Sequence, residues 1–248
     1  MADKVIVSKL KLQTLGDAIR SKTGTTASLT LDAMANEISN IETGTSSVNV
    51  IKTLLDGRKK ANSLFQSYTG TSVDNIISYS DTENVTEMSN MFQQCSNLQT
   101  IPELNTSKVT DMAYMFFQCF NLQTIPELDT SEVTRMGSMF KECSSLQTID
   151  ITSMDKITSI SYSNGMCYSC YRLTKFIIRT MTIVSSLNSN TFKNCYHFDG
   201  TVDPTYNPDG LKDGRIYVPD DKVEELKQAT NWSAYADIIV PLSTLQEE

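Results

Sequence analysis

Apolar positions in the middle of the chain recur in a fixed register. Three segments align without a gap from Val85, Val109 and Val133, a period of 24 residues. They read VTEMSNMFQQCSNLQTIPELNTSK, VTDMAYMFFQCFNLQTIPELDTSE and VTRMGSMFKECSSLQTIDITSMDK. The matching apolar positions are Met88, Met112 and Met136; Met91, Met115 and Met139; Phe92, Phe116 and Phe140; Cys95, Cys119 and Cys143; Leu98, Leu122 and Leu146; and Ile101, Ile125 and Ile149. Ile157 and Ile160 open a looser fourth copy, with three extra residues before Cys170, Leu173 and Phe176. Phe192, Cys195 and Phe198 mark a fifth. Upstream, Leu64, Phe65 and Tyr68 form a degenerate copy with Tyr68 in the cysteine slot. About six copies run from roughly 51 to 202, above the minimum of ~3 that a stack of repeats needs.

Within a copy, Met88, Met91, Phe92 and Cys95 are spaced i, i+3, i+4, i+7, which predicts one face of a helix. Thr86, and Thr110 and Thr134 after it, stand where an N-cap would accept a backbone N–H. Leu98 and Ile101 lie in a short segment that predicts a strand. Pro102 and the polar residues after it turn the chain. A unit of one helix and one short strand cannot bury its own apolar face, so the copies must bury one another. The expected fold is therefore α/β: a leucine-rich-repeat solenoid of about 24-residue copies, one helix plus one short strand each.

The motif V-T-x-M-x-x-M-F-x-x-C-x-x-L-x-x-I resembles the BspA-type leucine-rich repeat of bacterial surface proteins and mycoplasma lipoproteins. Across about 150 residues, that resemblance implies an adhesion or interaction role and no catalytic site.

The two ends differ from the middle. Leu12, Leu15 and Ile19 predict a helix ending at Gly24. Thr30 can cap a second helix carrying Met34, Ile38 and Ile41. Residues 1–43 are thus expected to form a helical hairpin, with a linker at 44–50 and the repeats over 51–202. The string LGDAIRSKTGTTASLTLDAMANEISNI resembles a segment of tail and fibre proteins of phages that infect Gram-positive bacteria. It implies an attachment or oligomerisation end; the alternative is a cap over the first copy, and both roles are compatible. Residues 203–248 form the expected C-terminal cap. There Arg215 to Pro219 predicts a strand, Val223 and Leu226 a helix face, and Ile238 to Pro241 a final strand. This pattern resembles the segment that closes such repeats in surface and phage proteins.

Composition narrows the function. The formal charge of −8 disfavours nucleic-acid and anionic-lipid partners. No stretch approaches the ~20 apolar residues of a membrane helix, and Met1 to Leu15 lacks a secretory h-region. The expectation is a protein made in a host cytoplasm without a signal peptide.

Six cysteines invite a metal or disulfide reading. Cys167 and Cys170 form a C-x-x-C, but a closed zinc site needs about four ligands, and His197 is the only histidine. Helices packed ~8–10 Å apart would also hold repeat cysteines too far apart for a disulfide. Free thiols are expected, with no metal and no cofactor. No nucleophile elbow, zinc-protease or phosphate-loop motif is present. Glu103, Glu127 and Asp129 recur at turn positions and read as a solvated face. The chain is expected to be non-enzymatic.

Residues 162–206 are rich in rings: Tyr162, Tyr168, Tyr171, Phe176, Tyr196, His197, Phe198 and Tyr206. Insertions in repeat stacks often mark the binding face, and one falls here. Tyr162, Tyr168, Tyr171, Arg172, Tyr196 and His197, with Phe117 and Phe120 off the apolar stripe, are the candidate binding residues. The alternative is that many of them pack an irregular end of the stack. Two roles follow: a virion tail, baseplate or fibre component, and a bacterial surface adhesin. The missing export signal favours the first, and a cysteine-rich core fits a reducing birthplace. The tail resemblance implies other virion proteins as partners at the N-terminus, a bacterial surface glycan or protein as target, and homotrimeric assembly. A purely structural decoration protein is a further alternative.

Overall fold

The computed structural model of the chain describes residues 60–73, 77, 82–157, 165–182 and 188–246. The expected N-terminal hairpin and linker lie outside these residues.

Copies stack one on the next in parallel register. Isolated bridges join Lys60 to Glu87, Glu87 to Asp111 and Asp111 to Arg135. The amide N–H groups of Met88, Asn90, Phe92 and Gln94 donate to the carbonyls of Asp111, Ala113, Met115 and Phe117, at 2.8, 3.0, 2.9 and 2.7 Å. Met112, Tyr114, Phe116 and Gln118 repeat this against Arg135, Gly137, Met139 and Lys141. The pattern continues from Phe140 to Met166 and from Cys167 to Thr191. The three extra residues before Cys170 thus shift the register without breaking it.

The helix expected in each copy does not form in the three gapless ones. Among the described residues of the three gapless copies there is no α-helix; the chain runs through consecutive tight turns. Asn90 and Gln94, then Tyr114 and Gln118, then Ser138 and Glu142, take positive φ of 54–64°, which ends right-handed helix wherever it occurs. The spacing i, i+3, i+4, i+7 suits both geometries, because two four-residue turns place Met88 with Phe92 and Met91 with Cys95 on one side. Backbone accounting separates the two. In a helix each N–H bonds four residues back within its own copy. Here alternate N–H groups go to the next copy, and Met91, Gln93 and Cys95 close i→i+3 turns onto Met88, Asn90 and Phe92. From Met88 to Cys95 every N–H has a partner, Ser89 donating to Asn62 Oδ1 at 3.1 Å, as a buried backbone requires.

The strand expected after each turn is also selective. It forms as β1 (Thr148–Ser153) and β2 (Lys175–Thr180), while the first two gapless copies contribute only a bridge from Leu128 to Ile151. Beyond β2 lie β3 (Arg215–Val218) and β4 (Ile239–Pro241), parallel and in the order β1-β2-β3-β4. Ile149, Phe176, Ile216 and Ile239 face one another across it. The short helices α1 (Tyr196–Asp199) and α2 (Val223–Gln228) flank β3 in sequence. Val223 and Leu226 of α2 are buried, as is Trp232. Residues 203–246 therefore extend the sheet of the repeats.

The core is a set of side-chain columns. Phe65, Phe92, Phe116 and Phe140 stack face to face, with centroids 5.3, 5.5 and 5.6 Å apart and ring planes within 6°. Of the repeat-core positions, Ile125 alone is half-buried; the others are buried. Cys167 occupies the next phenylalanine slot. The same copy carries Phe176 in the isoleucine slot, and Phe176 meets Phe192 edge to face at 5.0 Å. The copy's one large ring has moved from the phenylalanine slot to the isoleucine slot, where it fills core space beside Phe192. The C-x-x-C is thus one phenylalanine slot followed by one cysteine slot.

Candidate functional site

All six cysteines are free thiols, and all are buried. Helix-packing distance does not keep them apart, because the copies stack at hydrogen-bonding distance. What occupies the thiols is backbone. The sulfurs of Cys95, Cys119, Cys143 and Cys170 donate to the carbonyls of Phe65, Phe92, Phe116 and Phe140, each one copy back, at 3.0–3.1 Å.

The turn acidic residues play structural parts. Asp129 Oδ1 accepts the Ser131 N–H at 3.0 Å and its hydroxyl at 2.6 Å, capping the turn. Glu127 pairs with Arg179 at 3.4 Å, and Arg179 also holds Asp150 at 2.6 Å.

Stacking turns each repeat position into a column on the surface. Two positions before the cysteine, Phe117, Lys141, Tyr168 and Lys193 follow one another. The Lys141 ammonium lies 5.2 Å from the Phe117 ring centre and 5.5 Å from that of Tyr168, and Lys193 lies 5.9 Å from Tyr168. Rings and cations alternate, an arrangement favoured by the ring quadrupole. One position before the cysteine, Gln94, Gln118 and Glu142 are joined by side-chain hydrogen bonds of 3.2 and 2.9 Å. One position after the cysteine stand Ser96, Phe120, Ser144, Tyr171 and Tyr196. Tyr171 stacks on Tyr196 at 5.0 Å and meets Tyr206 at 4.7 Å.

These columns border an open groove of about 630 Å³. Its rings are Phe120, Tyr168, Tyr171 and Tyr206; Asn121, Glu142, Ser144, Ser145, Ser169 and Asn194 supply polar groups. Of the sequence candidates, Phe120, Tyr168 and Tyr171 line it. Tyr196 supports Tyr171 from behind, and burial followed by the neighbouring Tyr171 hydroxyl holds its phenol above the ordinary range. Arg172 lies 5.8 Å from the Tyr206 ring centre. Phe117 stands off the groove, joined to it through Lys141. His197 is a positioning residue: Nδ1 meets Asp213 Oδ1 at 2.7 Å and Nε2 meets the Tyr206 carbonyl at 3.1 Å. Phe176 and Phe198 are buried in the core, so the packing alternative holds for them. Tyr162 lies outside the described residues.

Sequence reasoning passed over the polar half of the groove and left Tyr206 out of the site. Columns read across the three-residue insertion would have placed Ser144 between Phe120 and Tyr171. Nothing local marks Tyr206. It is placed by the buried Asn207, whose amide nitrogen donates to the carbonyls of Tyr196, Thr201 and Leu211 at 3.0–3.1 Å.

The described residues thus form a stack of parallel-bonded repeat copies with an aromatic and polar groove along one side. Residues 59–181, just under half of the chain, match the family model described as Mycoplasma protein of unknown function, DUF285. The match covers the three gapless copies and is compatible with the BspA-type character of the motif; Asn194 and Tyr206 of the groove lie beyond it. No curated protein and no solved structure was found to match the chain.

Proposed function

We propose that this chain is a non-catalytic recognition protein, a repeat solenoid that binds a bacterial surface glycan or protein through the groove around Tyr171. The observation that carries this is the groove itself. Half-exposed tyrosines and one exposed phenylalanine gather with amides, hydroxyls and a carboxylate, a mixture that suits targets with both flat apolar faces and polar edges. In this reading the repeats act as spacer and scaffold, and residues 1–43 attach the chain to a phage tail or baseplate, as a trimer. The tail-like segment of the N-terminus supports the virion setting. A second setting, the surface of a bacterial cell, is favoured by the match to a family of Mycoplasma proteins.

Fluorescently tagged full chain is to be applied to intact Gram-positive cells, beside a variant carrying Tyr171→Ala and Tyr206→Ala. Cell binding that the variant loses, at an unchanged melting temperature, is the expected result. Equal binding by both chains would remove the groove from the function. Antibody labelling of phage particles and of bacterial surfaces separates the two settings.

A further inference from the structure

The column that follows the cysteine is aromatic at Phe120, Tyr171 and Tyr196 and interrupted at one rung, Ser144. The geometry points to a single ring-binding slot over Ser144, between Phe120 and Tyr171, which takes one pyranose residue of a neutral glycan. This deepens the recognition reading above and rests on it.

Register places the slot. Ser144 Oγ donates to the Phe120 carbonyl at 3.2 Å, and the Ser145 N–H donates to the same oxygen at 3.2 Å, so these rungs are adjacent. Tyr171 stands one rung further on, where Glu142 N–H reaches the Tyr168 carbonyl at 2.8 Å. Parallel rungs lie ~4.8 Å apart, so Phe120 and Tyr171 are separated by about 10 Å along the stack. That is two ordinary ring-to-ring steps of roughly 4.5–7 Å, room for one inserted ring. Elsewhere the fold fills such gaps: Tyr171 and Tyr196 stack directly at 5.0 Å. Phe120 is 41 % exposed, while every other phenylalanine is buried or half-buried.

Chemistry around the slot selects a sugar over an aromatic side chain. Beside the rings it is lined by the serine pair, Asn121, Glu142 and Asn194. The Asn121 and Asn194 amide nitrogens donate to Ser96 O at 2.8 Å and Ser169 Oγ at 3.1 Å. Their amide oxygens remain as acceptors for hydroxyl groups. A pyranose offers an apolar face to the rings and hydroxyls to these acceptors, whereas an aromatic side chain would leave them desolvated and unpaired. The net charge of −8 disfavours an anionic sugar.

The test uses the full chain and two polysaccharide fractions from Gram-positive walls, one neutral and one anionic, by biolayer interferometry. Wild type and Ser144→Ala are expected to bind the neutral fraction. Ser144→Tyr, which completes the aromatic column, should bind it about tenfold more weakly, a loss on the scale of one stacking contact, with a melting temperature no lower than wild type. Phe120→Ala should weaken binding similarly. Undiminished binding by Ser144→Tyr, or preference for the anionic fraction, would overturn the slot. If Ser144→Tyr also binds whole cells like wild type while the Tyr171/Tyr206 variant does not, the slot fails and the recognition face stands. If neither variant alters cell binding, both fail.

Discussion

The Cys119 thiol donates to the carbonyl oxygen of Phe92, one copy earlier, at 3.1 Å, and that oxygen also accepts the Cys95 amide at 3.1 Å. One carbonyl therefore closes a turn within its copy and ties it to the next. A thiol suits the position because it is small and apolar enough for full burial yet still donates.

Alkaline pH should weaken the fold through these thiols. Burial pushes those of Cys119, Cys143, Cys167 and Cys195 well above the usual range. The folded chain keeps them protonated where the unfolded chain ionises them, so the unfolded state binds fewer protons and stability falls as pH rises. The loss begins near the ordinary thiol pKa of about 8.5, with a limiting slope of ~1.4 kcal/mol per pH unit for each thiol. Urea denaturation from pH 7 to 10 measures it. Cys119→Ala should lower stability by about 1–2 kcal/mol at pH 7 and reduce the alkaline slope. A flat profile in both proteins would contradict the assignment.

Phe116 and Phe120, one turn apart in sequence, should separate stability from recognition. Phe116 is buried between two parallel rings at 5.5 and 5.6 Å, so Phe116→Ala should destabilise by about 3–5 kcal/mol. Phe120→Ala, at an exposed position, should stay within about 0.5 kcal/mol of wild type. Thermal melting of both variants gives the comparison, and similar losses would contradict these placements.

Gln118 tests the turns against a helix by the sign of one effect. Its φ is 62°, where a side chain is strained and glycine is not. In a helix, Gln118→Gly would cost roughly 0.5–1 kcal/mol. In the observed turn it should be neutral or stabilising, the relief of φ offsetting its bonds to Gln94 and Glu142, while Gln118→Ile should cost about 1–2 kcal/mol as a β-branched residue at positive φ. Chemical denaturation distinguishes the two orders.

That residue also shows how far the sequence could be read. The period, the core columns and the two late strands are legible because burial repeats in register with the residues that supply it. The turns are not, because the apolar spacing of Met88, Met91, Phe92 and Cys95 is common to a helix and to two linked turns. Only Asn90 among the positive-φ residues of the gapless copies is of a type that favours that region; Gln94, Tyr114, Gln118, Ser138 and Glu142 give no local sign. The inter-copy hydrogen bonds that decide between the geometries join residues 23 apart. The groove was half legible for a related reason: its rings stand out by type, whereas Ser144 and Asn121 gain meaning only from their neighbours in adjacent rungs.

Asn207 ties recognition to the fold at the far side of the groove. Its side chain is buried, its nitrogen donates to three carbonyls, and its oxygen accepts the Leu211 N–H at 3.0 Å. Replacing the amide by a carboxylate, Asn207→Asp, removes the donors and sets a negative charge against three carbonyl oxygens. The expected loss is at least about 2–3 kcal/mol, the desolvation cost of groups left unpaired. Because Tyr206 is the preceding residue and its carbonyl is held by His197 Nε2 at 3.1 Å, the damage should spread to the groove. Hydrogen exchange should speed up across 201–214 with little change at 85–149, and cell binding should fall in parallel with that local loosening. Faster exchange with intact binding would separate Tyr206 from recognition and confine the groove's work to Phe120, Tyr168 and Tyr171.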